Sequence, residues 1–100
     1  MSFVLQIDFK FPGPYGDEMT KGFTELAESI NEVPGFQKKV WTENEKIGEA
    51  GGLYFFDTEE NAASYLDFHL KRLSGFGIQQ ANAKIFKVNA ALSAINHFNF

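Results

Sequence analysis

Few side chains in this sequence can carry chemistry. It holds one arginine (Arg72), two histidines (His69 and His97) and no cysteine. Thiol nucleophiles, zinc ribbons and iron–sulfur ligation are therefore excluded together. His69 is the strongest single candidate. It follows Leu66 by three residues, at the edge of an apolar helical stripe, and an imidazole in a Phe-lined cavity could take a proton from a phenol or enol near neutral pH. The plainer role is a half-buried helix histidine bonded to backbone or water. Trp41 and Tyr54 fall on strands read as hairpin neighbours, and Tyr65 on the helix that carries His69. With Phe9 and Phe56 they could wall a slot for a flat substrate, the indole and phenols supplying donors that orient it. Core packing would use the same residues equally well. His97, near the chain's end, is incidental.

Other chemistries lack their motifs. Gly48–Gly52 precedes a strand instead of following one, and lacks the spacing of a phosphate loop. No HxxxH, HExxH or carboxylate-rich calcium loop occurs. Metal, nucleotide and triad readings are disfavoured, and no cofactor is expected.

The elements that must position these residues are legible. Phe3, Leu5, Ile7, Phe9 and Phe11 alternate with Val4, Gln6, Asp8 and Lys10, a strand over 3–11 with one buried face. It stops at Pro12-Gly13-Pro14. A helix is expected from about 14–17 to 32, with Asp17 and Glu18 in its first turn and a stripe of Met19, Phe23, Leu26, Ala27 and Ile30. Strands over 36–43 and 50–56 flank a polar turn. Asp57 with Glu60 reads as an N-cap and capping box for a helix over 58–73. A fourth strand spans 78–88. The pair Gly51-Gly52 is a candidate bulge, which would reverse the strand face that looks into a pocket. The order is β-α-β-β-α-β: an α+β, ferredoxin-like fold, a four-stranded antiparallel sheet with two helices on one face.

The 100 residues make one domain. Twelve are Phe, more large apolar surface than a small monomer easily hides, so part of it should face a partner or a ligand. A net charge of −4 gives no footprint for nucleic acid or an anionic membrane. The N-terminal run has no basic segment and no apolar stretch approaches the ~20 residues of a membrane span, so a cytoplasmic protein is expected. The tail over 89–100 is uncharged yet carries Leu92, Ile95, Phe98 and Phe100. It should dock on its own sheet or, the favoured alternative, at a dimer contact, since the open sheet face also needs cover.

Several strings carry a family resemblance: Phe11-Pro-Gly-Pro-Tyr-Gly-Asp17, Leu26-Ala-Glu-Ser-Ile-Asn31, Pro34-Gly-Phe36, Lys39-Val-Trp-Thr-Glu43, Glu49-Ala-Gly-Gly52, Ala83-Lys-Ile-Phe-Lys-Val-Asn89 and Leu92-Ser-Ala-Ile-Asn96. Together they resemble the YdhR-like monooxygenase family, a branch of the dimeric α/β-barrel superfamily, from residue 3 to about 97. The resemblance implies a homodimer with a pocket between the sheet and helices of each subunit. It also implies cofactor-independent oxidation of a phenolic, polycyclic small molecule by O₂. The chemistry of the residues, not the resemblance, makes His69 the base, with Trp41, Tyr54 and Tyr65 as walls and donors. The alternative is a non-catalytic dimeric module that binds a hydrophobic small molecule, in a stress response for example. RNA binding on such a sheet lacks the basic balance. Acylphosphatase chemistry would need an arginine in the loop at Pro12–Gly16, where there is none.

Overall fold

In the computed structural model, which describes residues 1–99, the first alternating segment is strand β1 (Phe3–Lys10). Helix α1 (Gly16–Ile30), strands β2 (Phe36–Asn44) and β3 (Glu49–Phe56), helix α2 (Glu59–Gly75), strand β4 (Ala81–Lys87) and the short helix α3 (Ala90–Ile95) follow. The strands form one antiparallel sheet in the order β2-β3-β1-β4. This is the expected α+β topology, with both long helices on one side.

Register decides which side chains meet, because directly paired residues share a face. Lys39, Tyr54, Leu5 and Ile85 form one row across the sheet; Trp41, Gly52, Ile7 and Ala83 form the next. These rows face the helices. Leu5, Ile7, Tyr54 and Phe56 join Ile30 of α1 and Ala62, Tyr65 and Leu73 of α2 in the buried core. Helix α2 lies directly on β1, β3 and β4, whereas α1 stands further off. The space left under α1 becomes the site.

Three local expectations are corrected. Pairing runs unbroken through Gly51 and Gly52; the irregularity lies in β2, between Phe36 and Lys38. The cap of α2 is Thr58, whose side chain accepts from the Asn61 N–H at 3.0 Å, while the Asp57 carboxylate is taken by Asn61 Nδ2 at 2.8 Å. Strand β4 starts three residues late, because the Ile78 N–H donates to the Leu73 carbonyl and so prolongs the turn after α2. At α1 the Gly16 N–H donates to Glu43 Oε1 at 2.9 Å. A carboxylate from β2 thus joins Asp17 and Glu18 at the positive end of that helix.

The opposite face carries Val4, Val40, Phe55 and Phe86 by alternation. Asp8 lies there too, accepting from Asn82 Nδ2 at 3.3 Å. The tail reaches this face: Asn89 caps α3 through the Leu92 N–H, Phe98 packs on Phe55 with ring centroids 5.2 Å apart, and Lys38 Nζ donates to the Asn99 carbonyl at 2.7 Å. The tail therefore docks partly on its own sheet, yet Leu92 and Ile95 stay 61% and 71% exposed. Phe100 lies outside the described residues. Among those residues, no helix is long and apolar enough to cross a membrane.

Candidate functional site

Under α1 lies a cavity of about 320 Å³. Met19, Phe23 and Leu26 of α1 roof it, Phe9, Trp41 and Ala50 of the sheet floor it, and Phe11 to Pro14 with Phe76 and Ile78 close its ends. Phe23 stacks on the Trp41 indole, with centroids 6.2 Å apart and planes 16° from parallel. The polar side chains on this wall are Lys39, Tyr54, His69 and Arg72; no Asp or Glu among the described residues lines it.

Helical spacing on α2 places Tyr65, His69 and Arg72 on one face, turned toward Tyr54 of β3. Arg72 Nη2 lies 3.0 Å from His69 Nδ1 and donates to the Tyr65 hydroxyl at 3.0 Å. A guanidinium only donates, so Nδ1 must accept and the histidine proton resides on Nε2. That N–H faces the Tyr54 oxygen at 3.3 Å. Burial, then the charges of Arg72 and Lys39, push His69 down to about 4, so the ring is neutral at pH 7. Burial also raises the pKa of both phenols, that of Tyr54 well above the usual tyrosine range, so both stay protonated. His69 thus presents a donor to Tyr54, and its lone pair is engaged by Arg72.

Lys39 is the group that sequence reasoning missed. Its Nζ lies 3.2 Å from the Trp41 ring centroid and 4.1 Å from that of Tyr54. Burial, seconded by Arg72, lowers its pKa to about 7. Among the described residues no carboxylate pairs with it or with Arg72, and Arg72 Nε is buried without an acceptor. The stem of Lys39 occupies the place a side chain at residue 52 would take, since a Cβ on Gly52 would come 2.8 Å from Lys39 Cε. A signal for it existed. Lys39 stands two residues before Trp41, so if the indole faces inward the amine does too.

Of the residues singled out from sequence, Phe9, Trp41, Tyr54 and His69 lie together on the cavity wall. Phe56 and Tyr65 do not. Phe56 is sealed in the core, edge-on to Phe36. Tyr65 sits behind His69, stacked on it at 5.3 Å, and reaches the cavity only through its hydrogen bonds. Among the described residues no three His, Cys, Asp or Glu side chains come together.

A two-cation, aromatic cavity between one helix and a ferredoxin-like sheet invites comparison with known proteins. The crystal structure of a mutant of SnoaB, a cofactor-independent oxygenase from Streptomyces nogalater, superposes with a TM-score of 0.60 and 14% identity. The match covers 88% of this chain and 93% of that one, and at such identity it speaks for the fold. No curated protein sequence matches. The family model described as "Putative mono-oxygenase ydhR" matches residues 4–99, through every strand and all three helices. On that match the chain belongs to the YdhR mono-oxygenase family.

Proposed function

We propose that the protein is a cofactor-independent monooxygenase that oxidises an electron-rich phenol or enol, of one or more rings, in the cavity under α1. The observation that supports this reading is the grouping of Lys39, Tyr54, His69 and Arg72 in an aromatic-walled space that no carboxylate among the described residues lines. A neutral Lys39 amine takes the substrate's proton, and the anion rests beside Lys39 and Arg72. The anion passes one electron to O₂, and substrate radical and superoxide join through a new C–O bond. Reprotonated, the hydroperoxide loses water and leaves a carbonyl. One oxygen atom ends in the product and one in water, and the substrate supplies all the electrons. The apolar walls keep water from the radical pair. His69, offered from sequence as the base, serves here as a positioning residue that holds Tyr54.

Oxygen uptake with a panel of phenols and hydroquinones tests this. Turnover is expected with at least one of them, and Lys39→Met should lower kcat by about 10²-fold while the fold is kept. His69→Ala should cost less than Lys39→Met. Silence across the panel would count against catalysis, and tight binding without uptake would select the non-catalytic binding module. An unchanged rate in Lys39→Met would remove that residue from the mechanism.

The same proposal includes a homodimer in the cytoplasm. Its support is the open sheet face, where Val40 and Phe86 stay 46% and 48% exposed beside the apolar tail. Sedimentation at micromolar concentration should give twice the mass of the chain. A monomer at every concentration would refute it.

A further inference from the structure

We propose that Lys39 captures aromatic aldehydes in the cavity as Schiff bases, a covalent activity separate from oxidation. The geometry gives three reasons. First, the amine is fixed: it lies between the rings of Trp41 and Tyr54, with its stem laid over Gly52. Second, among the described residues no carboxylate lies within ion-pair distance of it. In the cavity the ionisable groups facing it are Tyr54 from β3 and His69 and Arg72 from α2; α1 lends Met19, Phe23 and Leu26 there, and its Glu28 borders a second pocket that Lys39 also lines, with no ion pair between the two. The nearest acid on the same strand face, Glu43, is engaged by the Gly16 N–H. Third, the surroundings are apolar and a second cation is close, the two conditions that make a lysine nucleophilic near neutral pH. The depressed pKa of about 7 agrees.

The step balances without an oxidant or reductant. The amine nitrogen adds to the carbonyl carbon to give a carbinolamine. The carbonyl oxygen then leaves as water with the two amine hydrogens, and a C=N bond remains. Flat aromatic carbonyl compounds suit the cavity of about 320 Å³, where a ring can lie against Phe9, Phe11 and Leu26 while its carbonyl meets Nζ.

The proposal uses the cavity of the oxygenase reading but not its chemistry, so the two fail separately. The probe is 2-naphthaldehyde with sodium cyanoborohydride, under anaerobic conditions near pH 7, followed by intact mass and peptide mapping. One naphthylmethyl group per chain is expected, on Lys39, at least about tenfold faster than on any of the other seven lysines. Lys39→Arg, which keeps a long basic side chain but no nucleophilic amine, should abolish the fast addition, and Lys46→Arg in the exposed β2–β3 turn should leave it unchanged. Arg72→Gln should slow it, because losing the neighbouring charge returns the amine toward its protonated form. Label spread evenly over the surface lysines of the unmodified protein would overturn the proposal, whatever the variants do. So would fast addition that persists in Lys39→Arg. Labelling of Lys39 without oxygen uptake on any phenol leaves the capture standing and sinks only the oxygenase.

Discussion

Replacing Gly51 with alanine is expected to leave the protein unfolded at physiological temperature, a loss of roughly 4 kcal/mol or more from the ~5–15 kcal/mol that holds a small domain. A Cβ there would fall on the Ile7 carbonyl oxygen and come 2.8 Å from Asp8 Cα and 2.9 Å from the Ile7 carbonyl carbon. Every obstacle is backbone. Strand β1 cannot retreat, because β4 pairs along its other edge. Relief would require opening the ladder at the centre of the sheet. The neighbouring glycine makes the comparison sharp. At Gly52 the closest obstacle is Lys39 Cε, part of a flexible side chain, although Val40's carbonyl lies 3.1 Å away. Gly52→Ala should therefore displace the amine and impair its reactivity more than it harms the fold. Urea midpoints of the two variants test this. A Gly51→Ala protein with a midpoint close to the parent's would show that the sheet yields there.

Stability should rise as the pH is raised from about 7 toward 10, where most domains gain nothing. The unfolded chain keeps the Lys39 proton up to its ordinary 10.5, while the folded chain releases it at about 7. Between those values the unfolded state binds more protons, so raising the pH favours folding, with a slope of at most about 1.4 kcal/mol per pH unit. His69 acts the same way lower down, between its folded value of about 4 and its ordinary 6.5. The two phenols set the upper limit. Tyr54 and Tyr65 are raised above the ordinary 10.0, so beyond about pH 10 the unfolded chain sheds protons that the folded one retains, and stability falls. Lys39→Met should erase the rise above pH 7. It should also unfold at no lower urea than the parent at pH 7, because it removes a half-buried amine that has no carboxylate partner among the described residues and stands near the Arg72 charge. A parent protein whose midpoint is flat from pH 7 to 9, or a variant with the same slope, would contradict the assignment.

The sheet and helices were legible because burial on one face leaves a period. Leu5, Ile7 and Phe9 alternate, and the α1 stripe recurs every three or four residues. Residue type does not decide where two neighbours offer the same chemistry. Asp57 and Thr58 can both cap α2, and only the structure shows the carboxylate occupied by Asn61. Nor does it decide where the irregularity has no residue signature. The glycine pair looked like a bulge, but its lack of side chains serves close approach to β1 on one face and room for Lys39 on the other. The site was half readable. Aromatic residues and His69 announce themselves by type, whereas a lysine reads as surface until the register fixes its face. Phe56 shows the converse: an aromatic on the correct face of the sheet still enters the core when a helix covers it, as α2 does here, and Tyr65 of that helix is buried with it.

The stacked pair Phe23 and Trp41 has a practical consequence. Trp41 is the chain's one tryptophan, and it borders the cavity with the Lys39 amine against its ring. All indole fluorescence from this protein therefore originates at the wall of the site. Occupancy of the cavity and the charge on Lys39 both change the surroundings of that fluorophore, so the molecule carries an intrinsic optical readout of what has entered, without any label.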